Sequence, residues 1–96
     1  MIYEITIITT EETTAEEMAE IKQAIMDHAE IKTEADDGIK SLAYPITRRG
    51  KEHAKGHYLF YTADIEGKDY QAIGSKYNGM DQVLRYLIVK QDTRRH

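Results

Sequence analysis

From Ile2 to Thr9 the chain alternates. Tyr3, Ile5 and Ile7 fall on one side of an extended backbone and Glu4, Thr6 and Ile8 on the other, the period of two that marks a half-buried strand. The run Thr13-Thr14-Ala15-Glu16-Glu17 then offers two overlapping capping boxes, Thr13 with Glu16 and Thr14 with Glu17, in which hydroxyl and carboxylate each satisfy an orphan amide. Met18, Ile21, Ile25 and Ala29 recur at steps of three and four, which predicts a helix ending near Ala29. Its apolar stripe faces a core, while Glu16, Glu17, Glu20, Lys22 and Asp27 face water.

Ile31 to Ala35 reads as a weaker extended stretch, halted by Asp36-Asp37-Gly38, a turn or bulge signal because Asp and Gly tolerate positive φ. Leu42, Tyr44 and Ile46 alternate with Ala43 and Pro45; proline has no amide to donate, so this second strand belongs at a sheet edge. Thr47 to Gly56 is polar and basic with two glycines and predicts a loop or the tip of a long hairpin. His57 to Ala63 is aromatic and apolar nearly throughout, as a central strand covered on at least one face would be. Tyr70, Ile73 and Tyr77, followed by Asn78-Gly79, predict a second helix over 68–77. Gly74 inside it costs about 1 kcal/mol against alanine. Val83 to Lys90 completes the order βαββαβ. With antiparallel pairing this is an α+β fold, the ferredoxin-like sandwich: a four-stranded antiparallel sheet with two helices on one face. The domain is expected to span 1–91, with a short basic tail at 92–96.

A chain of 96 residues has material for one core. It holds no cysteine, which excludes a disulfide framework, a thiolate metal site and a thiol nucleophile. No apolar run approaches the roughly 20 residues of a membrane-spanning helix, and Glu4 interrupts the only apolar stretch at the start, so the cytoplasm is the default. The net charge of −4 argues at first against a polyanionic partner. The charge is divided, however. Residues 1–37 carry eleven Asp and Glu against two Lys and Arg, a balance of −9, whereas residues 38–96 carry eleven Lys and Arg against six Asp and Glu, a balance of +5. Such a chain can present one basic and one acidic surface, and for an RNA the distribution outweighs the sum.

The densest cationic segment is Arg48, Arg49, Lys51 and Lys55, interspersed with His53 and His57, where phosphates could pair with guanidinium and ammonium groups; a solvated hairpin tip is the plainer alternative. Arg85, with Val83 and Leu87 on its own side of the last strand, needs either an exposed sheet face or a partner. His53 and His57 have a helical metal-ligand spacing in a segment that is not helical, and no cofactor or metal is expected. Ser41 and Ser75 sit in no nucleophile elbow and the glycines form no phosphate cradle, so an enzyme is not expected. The RNA recognition motif shares the βαββαβ order and stacks bases on strand aromatics, but the segment from Lys55 to Thr62 departs from its aromatic spacing. With Tyr58 and Phe60 directed into the core beside Ile5, no stacking platform would remain. An RNA-recognition-type or small-ligand-binding module is the alternative reading.

Taken together, Tyr3-Glu4-Ile5, the segment Gly38-Ile39-Lys40-Ser41-Leu42-Ala43-Tyr44-Pro45-Ile46, Gly56-His57-Tyr58 and Val83-Leu84-Arg85-Tyr86-Leu87-Ile88-Val89-Lys90 resemble bacterial small-subunit ribosomal protein six, in order and over nearly the whole chain. Ser41 and Thr47 depart from the residues usual there, and the hairpin from Thr47 to Lys55 is longer than common. The resemblance implies a structural constituent of the small subunit that binds the central domain of 16S ribosomal RNA as a heterodimer with ribosomal protein S-eighteen. It implies RNA contacts from Lys40, Arg48, Arg49, Lys51, Lys55 and Arg85, and no membrane or small-molecule partner.

Overall fold

The structure, a computed structural model, describes residues 1–91; the basic tail read at 92–96 lies outside the described residues. Six elements follow one another: β1 (Ile2–Thr9), α1 (Ala15–Met26), β2 (Ala29–Arg48), β3 (Lys51–Ile65), α2 (Asp69–Asn78) and β4 (Val83–Lys90). The strands form one sheet in the order β2-β3-β1-β4, antiparallel throughout. The expected α+β ferredoxin-like sandwich is the fold, with β2 at an edge and β3 inside.

Helix α1 starts on the second of the two capping boxes. The Glu17 amide donates to Thr14 Oγ1 at 3.1 Å and the Thr14 amide to Glu17 Oε1 at 2.9 Å, while Thr13 Oγ1 instead meets Thr10 Oγ1 at 2.8 Å. The helix stops at Met26, three residues short of Ala29, which opens β2; its buried residues are Ile21, Ala24 and Ile25. Helix α2 runs one residue past the expected span and buries Ile73, Gly74 and Tyr77. A Cβ on Gly74 would stand 3.1 Å from the Tyr86 hydroxyl, so the helix propensity lost there is offset by close packing of α2 on β4. Tyr77, fully buried, donates its hydroxyl to the Ile21 carbonyl at 2.7 Å and so ties α2 to α1. Burial pushes that phenol well above the usual tyrosine range.

The core lies between the helices and one face of the sheet. Ile5, Ile7, Leu59, Tyr61, Ala63 and Ile65 meet Ile21, Ile25, Ile73 and Tyr77 there. Directly paired residues share a face, and the register pairs Ile5 with Tyr61 and Ile7 with Leu59, but Thr6 with Phe60 and Ile8 with Tyr58. Tyr58 and Phe60 therefore point away from Ile5 and the core, the opposite of the sequence expectation. A continuous apolar run such as 57–63 carries no alternation to fix which side is which. Val83 also moves. An irregularity between Ile8 and Thr9 puts Val83 opposite Thr9, at 2% exposure in the core, and not on the face of Arg85.

The segment 47–56 is hairpin arm, not loop. β2 extends for 20 residues and β3 for 15, with only Arg49 and Gly50 between them, at φ of 55° and 77°; two positive values in a row are what a two-residue type I′ turn requires. The sequence leaves loop or hairpin tip open because the arm buries little beyond Gly56 and part of Arg48, so pairing comes from backbone hydrogen bonds. Three irregularities interrupt the β2 register. One lies between Asp36 and Gly38, where Gly38 has φ of 77°, and another skips Leu42 to Pro45. Edge strands so interrupted resist pairing with other chains.

Candidate nucleic-acid interface

The far end of the β2–β3 hairpin folds against two loops of the domain, and its cations meet partners there. Arg48 Nη2 donates to the carbonyls of Asn78 at 3.1 Å and Met80 at 2.9 Å. These are orphan acceptors at and just beyond the end of α2, where a cation also opposes the helix dipole. Arg49 Nε lies 2.8 Å from Asp81 Oδ1 and Lys51 Nζ 3.3 Å from Glu12 Oε2. Arg48, Arg49, Lys51 and His53 line one groove of about 370 Å³ together with Glu12, Glu17 and Asp81. Both ion pairs are exposed, so each contributes between about 0 and 1 kcal/mol and is easily exchanged for another anion.

Lys40 sits on β2, with Nζ 3.1 Å from Asp37 Oδ2 and 5.6 Å from the centroid of the Tyr58 ring. Lys55 is exposed on β3 opposite Ser41. Arg85 is exposed on β4 opposite Ile8, and neither it nor Lys55 meets a carboxylate among the described residues. The structure thus gathers Arg48, Arg49 and Lys51 at one end of the molecule. Arg85 joins Arg48 at a separate crevice, and Lys40 and Lys55 lie further along the hairpin. His57 Nε2 meets Asp36 Oδ1 at 2.5 Å, and the Gly38 amide donates to the same oxygen at 2.9 Å. His57 first and the Gly38 amide second hold Asp36 below the usual carboxylate range. The pair pins the irregularity in β2 and leaves His57 with a structural role.

What the sequence reading missed is the face of the sheet that no helix covers. Tyr58 and Phe60, with ring centroids 6.4 Å apart, share it with Thr6, Ile8 and Thr62, and with Arg85, Leu87 and Val89 on β4. Leu87 is 60% exposed and Val89 44%. Beside Phe60 lies a hollow of about 400 Å³ reaching Thr6, Thr33, Ala35 and Thr62. The signal that could have found this face is the polar Thr62 and Asp64 in step with Tyr58 and Phe60, since a row containing them is the one that stays wet.

A model described as ribosomal protein S6 matches residues 2–90. The chain belongs to that family. Over 55 residues it is 40% identical to small ribosomal subunit protein bS6 of Fusobacterium nucleatum subsp. nucleatum, a stretch covering 57% of this chain and 54% of that protein; the matched stretch spans about half the length of that relative. The crystal structure of 30S ribosomal protein S6 from Thermotoga maritima superposes with a TM-score of 0.80 at 21% identity, over 94% of this chain and 86% of that one, which shows a shared fold. The ribosomal protein S6 family is one of structural proteins and not of enzymes. No helix among the described residues is long and apolar enough to cross a membrane.

Proposed function

We propose that this member of the ribosomal protein S6 family is a structural constituent of the small ribosomal subunit in the cytoplasm. It binds the central domain of 16S ribosomal RNA together with ribosomal protein S-eighteen. The observation that carries this reading is the uncovered sheet face. An antiparallel sheet can leave one face to water, but such a face is ordinarily polar. Here it carries Tyr58, Phe60, Leu87 and Val89, an apolar patch of the kind that marks a protein contact. Lys40 and Arg85 flank it, and Arg48, Arg49 and Lys51 stand at the hairpin end. The partner protein takes the apolar face and the cations take phosphates.

The backbone at Arg49 supports the assignment of RNA contact to its charge. Its φ of 55° belongs to a position that Asn or Gly fills at lower cost, a difference of about 1 kcal/mol or more. The arginine there sits against its conformational preference, and the exposed Asp81 pair, worth between about 0 and 1 kcal/mol, offsets little of that cost.

The test is co-sedimentation with small subunits assembled with and without the partner protein, across a salt series, for the wild type and Arg49→Gly. The expected result is incorporation that needs the partner and weakens steeply with salt, and that in the variant is weaker at every salt concentration with a slope shallower by about one. Absence of the chain from subunits at low salt with the partner present contradicts the proposal. Tyr58 and Phe60 on an open face also favour a second reading, a base-stacking module of the RNA recognition type outside the ribosome. Tight binding of unstructured RNA by the chain alone, lost in Phe60→Ala, selects that reading instead.

A further inference from the structure

Between the end of α2 and the start of β4 lies a crevice of about 190 Å³, lined by Arg48, Tyr77, Leu84, Arg85 and Tyr86 among others. It differs from the larger groove at the hairpin end in one respect that decides its chemistry. There the cations face Glu12, Glu17 and Asp81, so an incoming anion must displace carboxylates; here, among the described residues, no acidic side chain lines the wall. The carbonyls at the end of α2, which would repel an anion, are already covered by the Arg48 guanidinium. That guanidinium also has a buried Nε with no acceptor among the described residues, a donor whose desolvation nothing yet repays. Arg85, exposed and paired with no carboxylate among the described residues, supplies a free fork.

We propose that this crevice is a discrete binding site for a phosphodiester group, held by Arg85 with Arg48 behind it. Its volume of about 190 Å³ is below the roughly 300 Å³ at which pockets begin to admit drug-sized ligands, which suits a phosphate. The Arg85 guanidinium fork matches a pair of phosphate oxygens in the bidentate fashion of arginine, and Arg48, whose Nη2 is engaged by the Asn78 and Met80 carbonyls, adds its charge behind it. The inference deepens the RNA reading and rests on it for the identity of the natural ligand, a backbone phosphate. It does not rest on that reading for the existence of the site. It also gives Arg48 two jobs, fastening the hairpin and lending its charge.

The test is a nuclear magnetic resonance titration of the full chain with inorganic phosphate and, separately, with a dinucleotide phosphodiester, at constant ionic strength. The amides of Leu84, Arg85 and Tyr86 and the Arg85 Nε–H are expected to shift and saturate with both. Arg85→Gln should weaken binding about tenfold, the worth of one charged hydrogen bond. Arg85→Lys should recover part of the loss, and Lys68→Gln, at an exposed lysine outside the crevice, should change nothing. Small shifts spread over surface lysines, saturation that survives Arg85→Gln, or phosphate binding without diester binding each overturn the proposal. If the crevice saturates with diester while the chain stays out of small subunits, the site stands and the ribosomal reading falls.

Discussion

The two faces of the sheet are made from alternate residues of the same strands, yet they live by different rules. On the helix side Leu59, Tyr61 and Ala63 are 4%, 7% and 0% exposed. One residue along each time, Tyr58, Phe60 and Thr62 stand only half-buried, with no layer above them among the described residues. The covered face contributes most of the burial that holds the fold together, at roughly 25 cal/mol per Å² of apolar surface. The open face contributes little to folding and is free to be chosen for what it touches. Stability and recognition are thereby separated by the pleat, and substitutions should fall into two groups with little overlap.

The largest effects belong to the covered face. Ile73→Ala removes a fully buried side chain and should cost about 2–5 kcal/mol, read as a lower denaturant midpoint at unchanged slope. Bound to subunits below its unfolding temperature, the variant should behave as the wild type does. Tyr77→Phe keeps the ring and loses only the bond to the Ile21 carbonyl, so about 1 kcal/mol is expected by the same measurement. A loss as large as that of Ile73→Ala would mean that the hydroxyl, and not the packing, fixes α2.

Smaller still is the contribution of the pair that pins β2. The Asp36 carboxyl is held below its ordinary range in the folded chain. It therefore adds stability above the ordinary carboxylate range that disappears as pH falls through the lowered value. Asp36→Asn should flatten the acid limb of a stability-against-pH curve while changing neutral stability by less than about 1 kcal/mol, because the carboxylate is exposed. An unchanged acid limb would show that the pair is not maintained in solution. Arg49→Gly should have the smallest effect on folding, and of the opposite sign. Relief of the left-handed backbone offsets loss of the Asp81 pair, and the unfolding midpoint should stay level or rise slightly.

How much of this was legible beforehand follows the same division. β1 and the two helices announced themselves because each has one wet and one dry side. The two overlapping boxes marked the start of α1 to within one residue, with Thr13 or Thr14 as the cap, and Pro45 placed β2 at an edge correctly. The hairpin arm was hidden because both of its sides are wet, so neither a period of two nor an apolar run survives in 47–56. The direction of Tyr58 and Phe60 was hidden for the converse reason, since apolar residues occupy both sides of β3. The polar Thr62 and Asp64 in their row were the one hint within β3; the register with β1 settles it, and register is a property of two strands. Arg48 illustrates a third limit. Its acceptors are backbone carbonyls of Asn78 and Met80, thirty residues and more away, and no side-chain pattern announces a carbonyl. The cationic segment was visible as composition; that part of it serves as a fastening was not.

The division between the faces is tested most directly by placing a carboxylate on the open one. For the double variant Phe60→Ala with Leu87→Asp, recovery in small subunits assembled with the partner protein should fall by about tenfold or more, as truncation of a central apolar anchor does, while its thermal midpoint stays within a few degrees of the wild type. Full incorporation at an unchanged midpoint would contradict the account, and so would a midpoint that collapsed as far as that of Ile73→Ala.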